Sequence, residues 1–388
     1  MKVLITNVQV YTVSHGVIDK GSVLVEDGKI SQVSAGDIQV EGATVVDGKG
    51  LTLMPGFIDA HTHVGISEEG FGWEGADYNE WVDPVTPYLR AIDGINPMEQ
   101  GVKDALEGGI TTICAAPGSA NVIGGTACVF KPFGKAIDKM VIKDPVALKA
   151  ATGENPKRVY RDMKKSPVTR MATASLMRQA LLKAKSYMEK KEKYANEPEK
   201  QPDFDLGMEH LCMVLRKEIP MKIHAHRADD ILTAIRIAKE FDINITIDHC
   251  TEGHLVPEEI AESKFPCIVG PNLTNRSKVE LMNKSFETPA VLHKHGVLFA
   301  IMTDHPVIPI QFLPLTVGLA VKYGLPYDEG IKAITINAAR ILGLDERLGS
   351  IEPGKDADLV LWEGDPLSVD GKPMFVMVNG QIAVNKLQ

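Results

Sequence analysis

The stretch that decides the fold is Met54-Pro55-Gly56-Phe57-Ile58-Asp59-Ala60-His61-Thr62-His63. An apolar run that ends in His-x-His reads as a buried strand. Residues i and i+2 of a strand share a side, so two imidazoles can converge on one ion at its C-terminal end. That end is where the sites of (β/α)-barrels lie. Three later runs repeat the pattern. Met221-Lys222-Ile223 continues into His224-Ala225-His226-Arg227, Ile245-Thr246-Ile247 into Asp248-His249, and Phe299-Ala300-Ile301-Met302 into Thr303-Asp304-His305. Of only 11 histidines, six stand at such ends. Buried core histidines have no reason to prefer strand termini, so the pattern reads as a metal site made by His61, His63, His224, His249 and Asp304, with His226, on the same face as His224, as the alternative to it.

Around these runs the middle of the chain, about 54–349, alternates short apolar segments with helical patterns, the signature of parallel βα units. Six strands are plain: Gly56–His61, Thr111–Ala115, Met221–His226, Asn244–Asp248, Pro266–Val269 and Val297–Met302. Val146–Ala151 is a seventh. A (β/α)8 barrel needs one more; Ala127–Lys131 and Met140–Lys143 supply it or form a hairpin beside it. Met171–Tyr194 reads as a helix inside an insertion at about 157–206, either a lid or partner surface or, more simply, a solvated helix with a loose loop.

Both ends read differently. Short alternating strands fill 1–53, with Asp27-Gly28 as a hairpin turn, and return in 350–388, with Asn379-Gly380 as another. The expected architecture is α/β: a TIM-like barrel over 54–349 with a small composite β-sandwich contributed by both chain ends.

The 388 residues carry a formal net charge of -9, which argues against a nucleic-acid partner. No run approaches a membrane span, and the alternating N-terminus is unlike a signal peptide. Five scattered cysteines do not suggest a disulfide framework. A cytoplasmic enzyme acting on a small molecule, and forming a homo-oligomer, is expected.

These motifs resemble the amidohydrolase superfamily, in its imidazolonepropionase-related branch. The resemblance spans nearly the whole chain. It includes the Pro-Gly-Phe-Ile-Asp-Ala-His-Thr-His opening, the strand-terminal His224, His249 and Asp304, and Thr335-Ile336-Asn337-Ala338-Ala339-Arg340. It closes with the specific Gly349-Ser350-Ile351-Glu352-Pro353-Gly354-Lys355-Asp356-Ala357-Asp358. It implies one or two divalent ions, zinc first and iron or manganese as alternatives, and a bridging carboxylate when there are two. Glu154 at the rim, in Gly153-Glu154-Asn155-Pro156, is the preferred bridge; a carboxylated Lys149 is the alternative. Asp304 is expected to ligate metal and to shuttle the proton in hydrolysis of an amide-type C–N bond in a dipeptide, an N-acyl amino acid or a cyclic amide. Substrate contacts are expected from His226, Arg227, Asn272, Arg276 and His305. Two alternatives are a deaminase, disfavoured because Arg227 stands where the resemblance would put glutamate, and an inactive interaction module on the same fold.

Overall fold

The computed structural model describes residues 2–387. Eight strands form one curved sheet in chain order: Phe57–Thr62, Ile110–Ala115, Ile123–Phe130, Val141–Ala151, Met221–Ala225, Ile245–His249, Cys267–Val269 and Phe299–Ile301. Phe57–Thr62 and Ile110–Ala115 run parallel, as do the last five strands. Ile123–Phe130 lies antiparallel to both of its neighbours. The sequence offered two ways to reach eight strands, and neither is quite what forms. Residues 127–130 belong to this antiparallel strand, whereas 141–143 open the long strand Val141–Ala151. The sheet closes across its first and last strands. His63 N–H donates to His305 O at 2.9 Å, and Asp59 accepts from the amide and hydroxyl of Thr303 at 3.1 and 2.6 Å. Asp59 in the opening motif therefore serves barrel closure.

A second sheet has eight strands from both chain ends. Thr52–Pro55 pairs antiparallel with Leu359–Glu363, and this junction joins the N-terminal strands to Lys372–Val378 and Gln381–Asn385. Asp27-Gly28 and Asn379-Gly380 both adopt positive φ (48° and 82°; 50° and 74°), as tight hairpin turns require. The two turns touch: a Cβ on Gly380 would sit 2.8 Å from Gly28 Cα.

The Gly-Lys-Asp-Ala-Asp segment fastens this sheet to the barrel. Lys131, fully buried at the end of Ile123–Phe130, lies 2.8 Å from Asp356 and 2.9 Å from Asp358, and also bonds Asn379. Removing one partner of a buried ionic cluster strands the others and costs about 3–5 kcal/mol. Lys131→Met should therefore lower the thermal unfolding midpoint sharply; an unchanged midpoint would remove this account of the motif.

Within residues 157–206 the longest element is a helix. Arg170–Lys193 buries Met177, Leu181 and Ala184, and its Tyr187 and Lys191 hold Glu209 of Leu206–Leu215 at 2.6 and 2.5 Å. All five cysteines are buried and free. No helix among the described residues is long and apolar enough to cross a membrane.

Candidate metal centre

Strand ends bring five histidines and an aspartate together at one end of the barrel. His61 and His63 face inward, as the i, i+2 spacing requires. Asp304 Oδ1 lies 3.4 Å from Nε2 of both, and it has no hydrogen-bond partner although it is buried. Across the barrel, His224 and His249 meet edge to face with ring centroids 4.2 Å apart, and His249 is 5.3 Å from His61. His249 and Asp304 both adopt left-handed backbone (φ 70° and 55°). Such conformations are uncommon for residues with a side chain and persist where packing over-determines them. At His249 the turn breaks strict alternation, so that Asp248 and His249, though consecutive, both serve the site.

Each ring is aimed by its other nitrogen. His61 Nδ1 contacts Asp248 Oδ2 at 2.5 Å, His63 Nδ1 contacts Ala116 O at 2.7 Å, and His249 Nδ1 contacts Gly270 O at 2.9 Å. Fixing Nδ1 in this way turns the Nε2 lone pair toward a ligand, as in metal-bound imidazole. Tyr78 stacks on His63 with centroids 5.2 Å apart. His224 differs: neither ring nitrogen has a partner. Burial lowers the pKa of His61, His224 and His249, with nearby Lys149 adding to the effect at His61 and His224, so the rings stay neutral and able to ligate. Desolvation alone would raise Asp304; the neighbouring His249, His61 and His63 together hold it well below the usual carboxylate range.

Between the two halves lies Lys149. Its Nζ is 3.1 Å from His61 Nε2 and fully buried. Burial lowers its pKa to about 8, against the pull of Asp248 and Asp304. Lys222, level with it on the adjacent strand, sits 2.9 Å from Asp248.

The structure places the two candidate bridging residues differently. The strand ends at Ala151, Gly153 turns at φ 79°, and Glu154 begins the helix Glu154–Asp162. Its backbone N–H donates to Glu280 at 2.9 Å, and its carboxylate is in neither group of side chains close enough to share an ion. Those groups are His61, His249 and Asp304, and His224, His226 and His249.

A cavity of about 310 Å³ opens over this site, lined by His63, His224, His226, His249 and Asp304 among others. Four of the expected substrate contacts lie outside its lining. Arg227 is held by Asp229 at 2.9 Å, and Arg276 by the carbonyl of Met282 at 3.0 Å. His305 is wholly buried and accepts from Ile310 N–H at 3.2 Å, and Asn272 is buried without facing the cavity. The fifth, His226, does line it.

Reading the sequence missed Arg158, Lys278 and Tyr78 on the cavity wall. Arg158 alone among the arginines has no hydrogen-bond or ion-pair partner among the described residues. Lys278 donates to Asn155 at 2.9 Å. Asp304 is the one acidic side chain in the lining, which also carries the cationic Arg158 and Lys278.

Residues 52–384 match the Amidohydrolase family. A solved structure of an amidohydrolase from Thermotoga maritima MSB8 is 46% identical, covers 99% of this chain and 100% of its own, and superposes with a TM-score of 0.96. The chain is 30% identical over 93% of its length to amidohydrolase tasK of Hapsidospora irregularis, but spans only 39% of that protein. It is 26% identical to an imidazolonepropionase of Mesorhizobium japonicum, covering 90% of this chain and 87% of that one.

Proposed function

The chain belongs to the amidohydrolase family, and on that premise we propose that it is a metal-dependent hydrolase that cleaves an amide-type C–N bond in a small, anion-bearing molecule. The observation that carries this reading is Asp304 Oδ1 at 3.4 Å from Nε2 of both His61 and His63. Tetrahedral bonds of about 2.0–2.2 Å set neighbouring ligand atoms about 3.3–3.6 Å apart. Neutral imidazoles, a buried carboxylate without a partner and fixed Nδ1 atoms are the donor set of a divalent ion, zinc first.

His61, His63 and Asp304 would hold one ion; His224 and His249 a second. Lys149 would lie between them as a carbamate: its neutral amine adds to carbon dioxide, an N–C bond forms, and a proton leaves. A pKa near 8 leaves enough neutral amine at ordinary pH for that addition. An unmodified ammonium 3.1 Å from His61 Nε2 would instead repel a cation. When bound, divalent ions here supply an acidified water and a Lewis acid for the carbonyl. Asp304 Oδ1 takes the proton of the attacking water and then gives it to the leaving nitrogen. Asp248 keeps the His61 ring in one tautomer, and Tyr78 packs against His63.

Arg158 and Lys278 give the cavity a place for a carboxylate remote from the scissile bond, as in a dipeptide or an N-acyl amino acid. Hydrogen bonds to charged groups are worth about 1.5–3 kcal/mol. Arg158→Met should therefore raise KM for N-acyl amino acids by about 10- to 150-fold, leave kcat little changed, and leave the carboxyl-esterified analogues unaffected. Equal KM values in variant and parent would shift the anion site away from Arg158.

A further inference from the structure

We propose that the loop over residues 66–77 is a substrate lid, in which Phe71 and Trp73 close over the cavity mouth onto the acyl end of the substrate, so that the preferred substrate is an N-acyl amino acid with a long, uncharged acyl chain. This rests on the reading of the cavity as a hydrolase site and deepens it by naming the substrate's acyl end. The loop begins just after His63, whose carbonyl accepts from the amides of Ile66 and Ser67 at 3.1 and 2.9 Å. Its stem is a short antiparallel pairing with Ser67 opposite Ala76. Glu68 N–H donates to Gly75 O at 2.8 Å, and Asp77 N–H to Ile66 O at 2.9 Å. The Glu68 carboxylate accepts from Asn96 Nδ2 at 2.7 Å. The stem is therefore fixed, whereas the tip stands clear. Gly70 and Gly72 adopt φ of 82° and 61°, and a Cβ at either would meet nothing within 4 Å. Beside these glycines, Phe71 and Trp73 are 62% and 89% exposed.

Aromatic side chains are worth most when covered, and an exposed apolar patch marks a surface that something else covers. Here the chain itself points to the cavity. Directly after the stem, Tyr78, Asn79 and Trp81 line it, and Tyr78 stacks on His63. Trp73 is five residues from Tyr78, so at most about 18 Å of extended chain separates them. The mouth has an apolar rim of its own, because Trp81 and Val307 both line the cavity and are each about half exposed. Charge sets the direction of the substrate. The charged side chains of the loop tip and its stem are Glu68, Glu69, Glu74 and Asp77, whereas the cations of the cavity are Arg158 and Lys278. A substrate carboxylate goes to Arg158 and Lys278, and the uncharged end goes to the loop. Closure of such a loop excludes water and commits the substrate.

The test reads the substrate and the loop separately. For N-acyl-L-alanines from acetyl to octanoyl, each methylene that the lid covers should raise kcat/KM about fourfold in the parent protein. Phe71→Ser combined with Trp73→Ser should flatten the series, leaving octanoyl and acetyl compounds no more than about fourfold apart, the worth of one methylene. Both side chains are exposed, so the replacements spare the core. A series equally steep in parent and variant, or flat in both, would overturn the proposal, while hydrolysis of the acetyl compound would leave the hydrolase reading standing. The second readout is fluorescence. The chain has three tryptophans and Trp362 is only 2% exposed, so Trp81→Phe makes acrylamide quenching a report on Trp73. In metal-loaded protein that also carries Asp304→Asn, which spares the ligand, N-octanoyl-L-alanine should shield Trp73 and shift its emission to the blue, and N-acetyl-L-alanine should do neither. Calorimetric binding of the octanoyl compound with unchanged quenching would end the lid. Shielding that grows with protein concentration in the absence of ligand would give the loop to a second copy of this chain instead. Protein that neither binds nor hydrolyses any member of the series would overturn both the lid and the hydrolase reading.

Discussion

Asp304→Asn should lose turnover by about 10²- to 10⁴-fold, the range of general acid–base catalysis, while keeping most of its bound metal. Asparagine preserves the shape of the carboxylate and leaves His61 and His63 in place. It cannot accept the proton of the attacking water or pass it to the leaving nitrogen. Oδ1 is the atom at stake, since it faces both histidines and has no hydrogen bond of its own. Steady-state kinetics with elemental analysis of the same samples check this. Unchanged turnover would exclude Asp304 as the proton carrier, whereas loss of metal in parallel with activity would reduce it to a ligand.

Lys149→Met should empty the two-ion centre, weakening metal affinity at least about 100-fold by the same reasoning as for any lost ligand. Glu154→Gln should leave it intact. The contrast follows from 3.1 Å between Lys149 Nζ and His61 Nε2 and from the helix start that carries Glu154 away. Lys149→Ala should recover metal in the presence of a short carboxylic acid, which restores the carboxylate but not the amine. Recovery with a short alkylamine instead would mean that Lys149 acts as a cation.

The opening motif and three later strand ends were readable because a polar histidine after an apolar run is a sharp local contrast. The composite sheet was readable from its two hairpin turns. The bridge was not. Residues 146–151 are buried on both faces, as strands of covered sheets are, so no polar–apolar alternation marks which side chains turn inward. The antiparallel direction of Ile123–Phe130 was hidden for the same reason, as all eight of its residues are buried. Arg227 and Arg276 looked like anchors because sequence does not reveal the local partners that claim them. Arg158 is distinguished by having none, and that is a property of the folded chain.

The account stands or falls most directly on hydrolysis of a panel of N-acyl amino acids and dipeptides by chelator-stripped protein, before and after zinc is restored. The expected result is loss of turnover on stripping and its return with zinc, in proportion to bound metal. Equal turnover with and without metal, or no zinc uptake at His61 and His63, would contradict it.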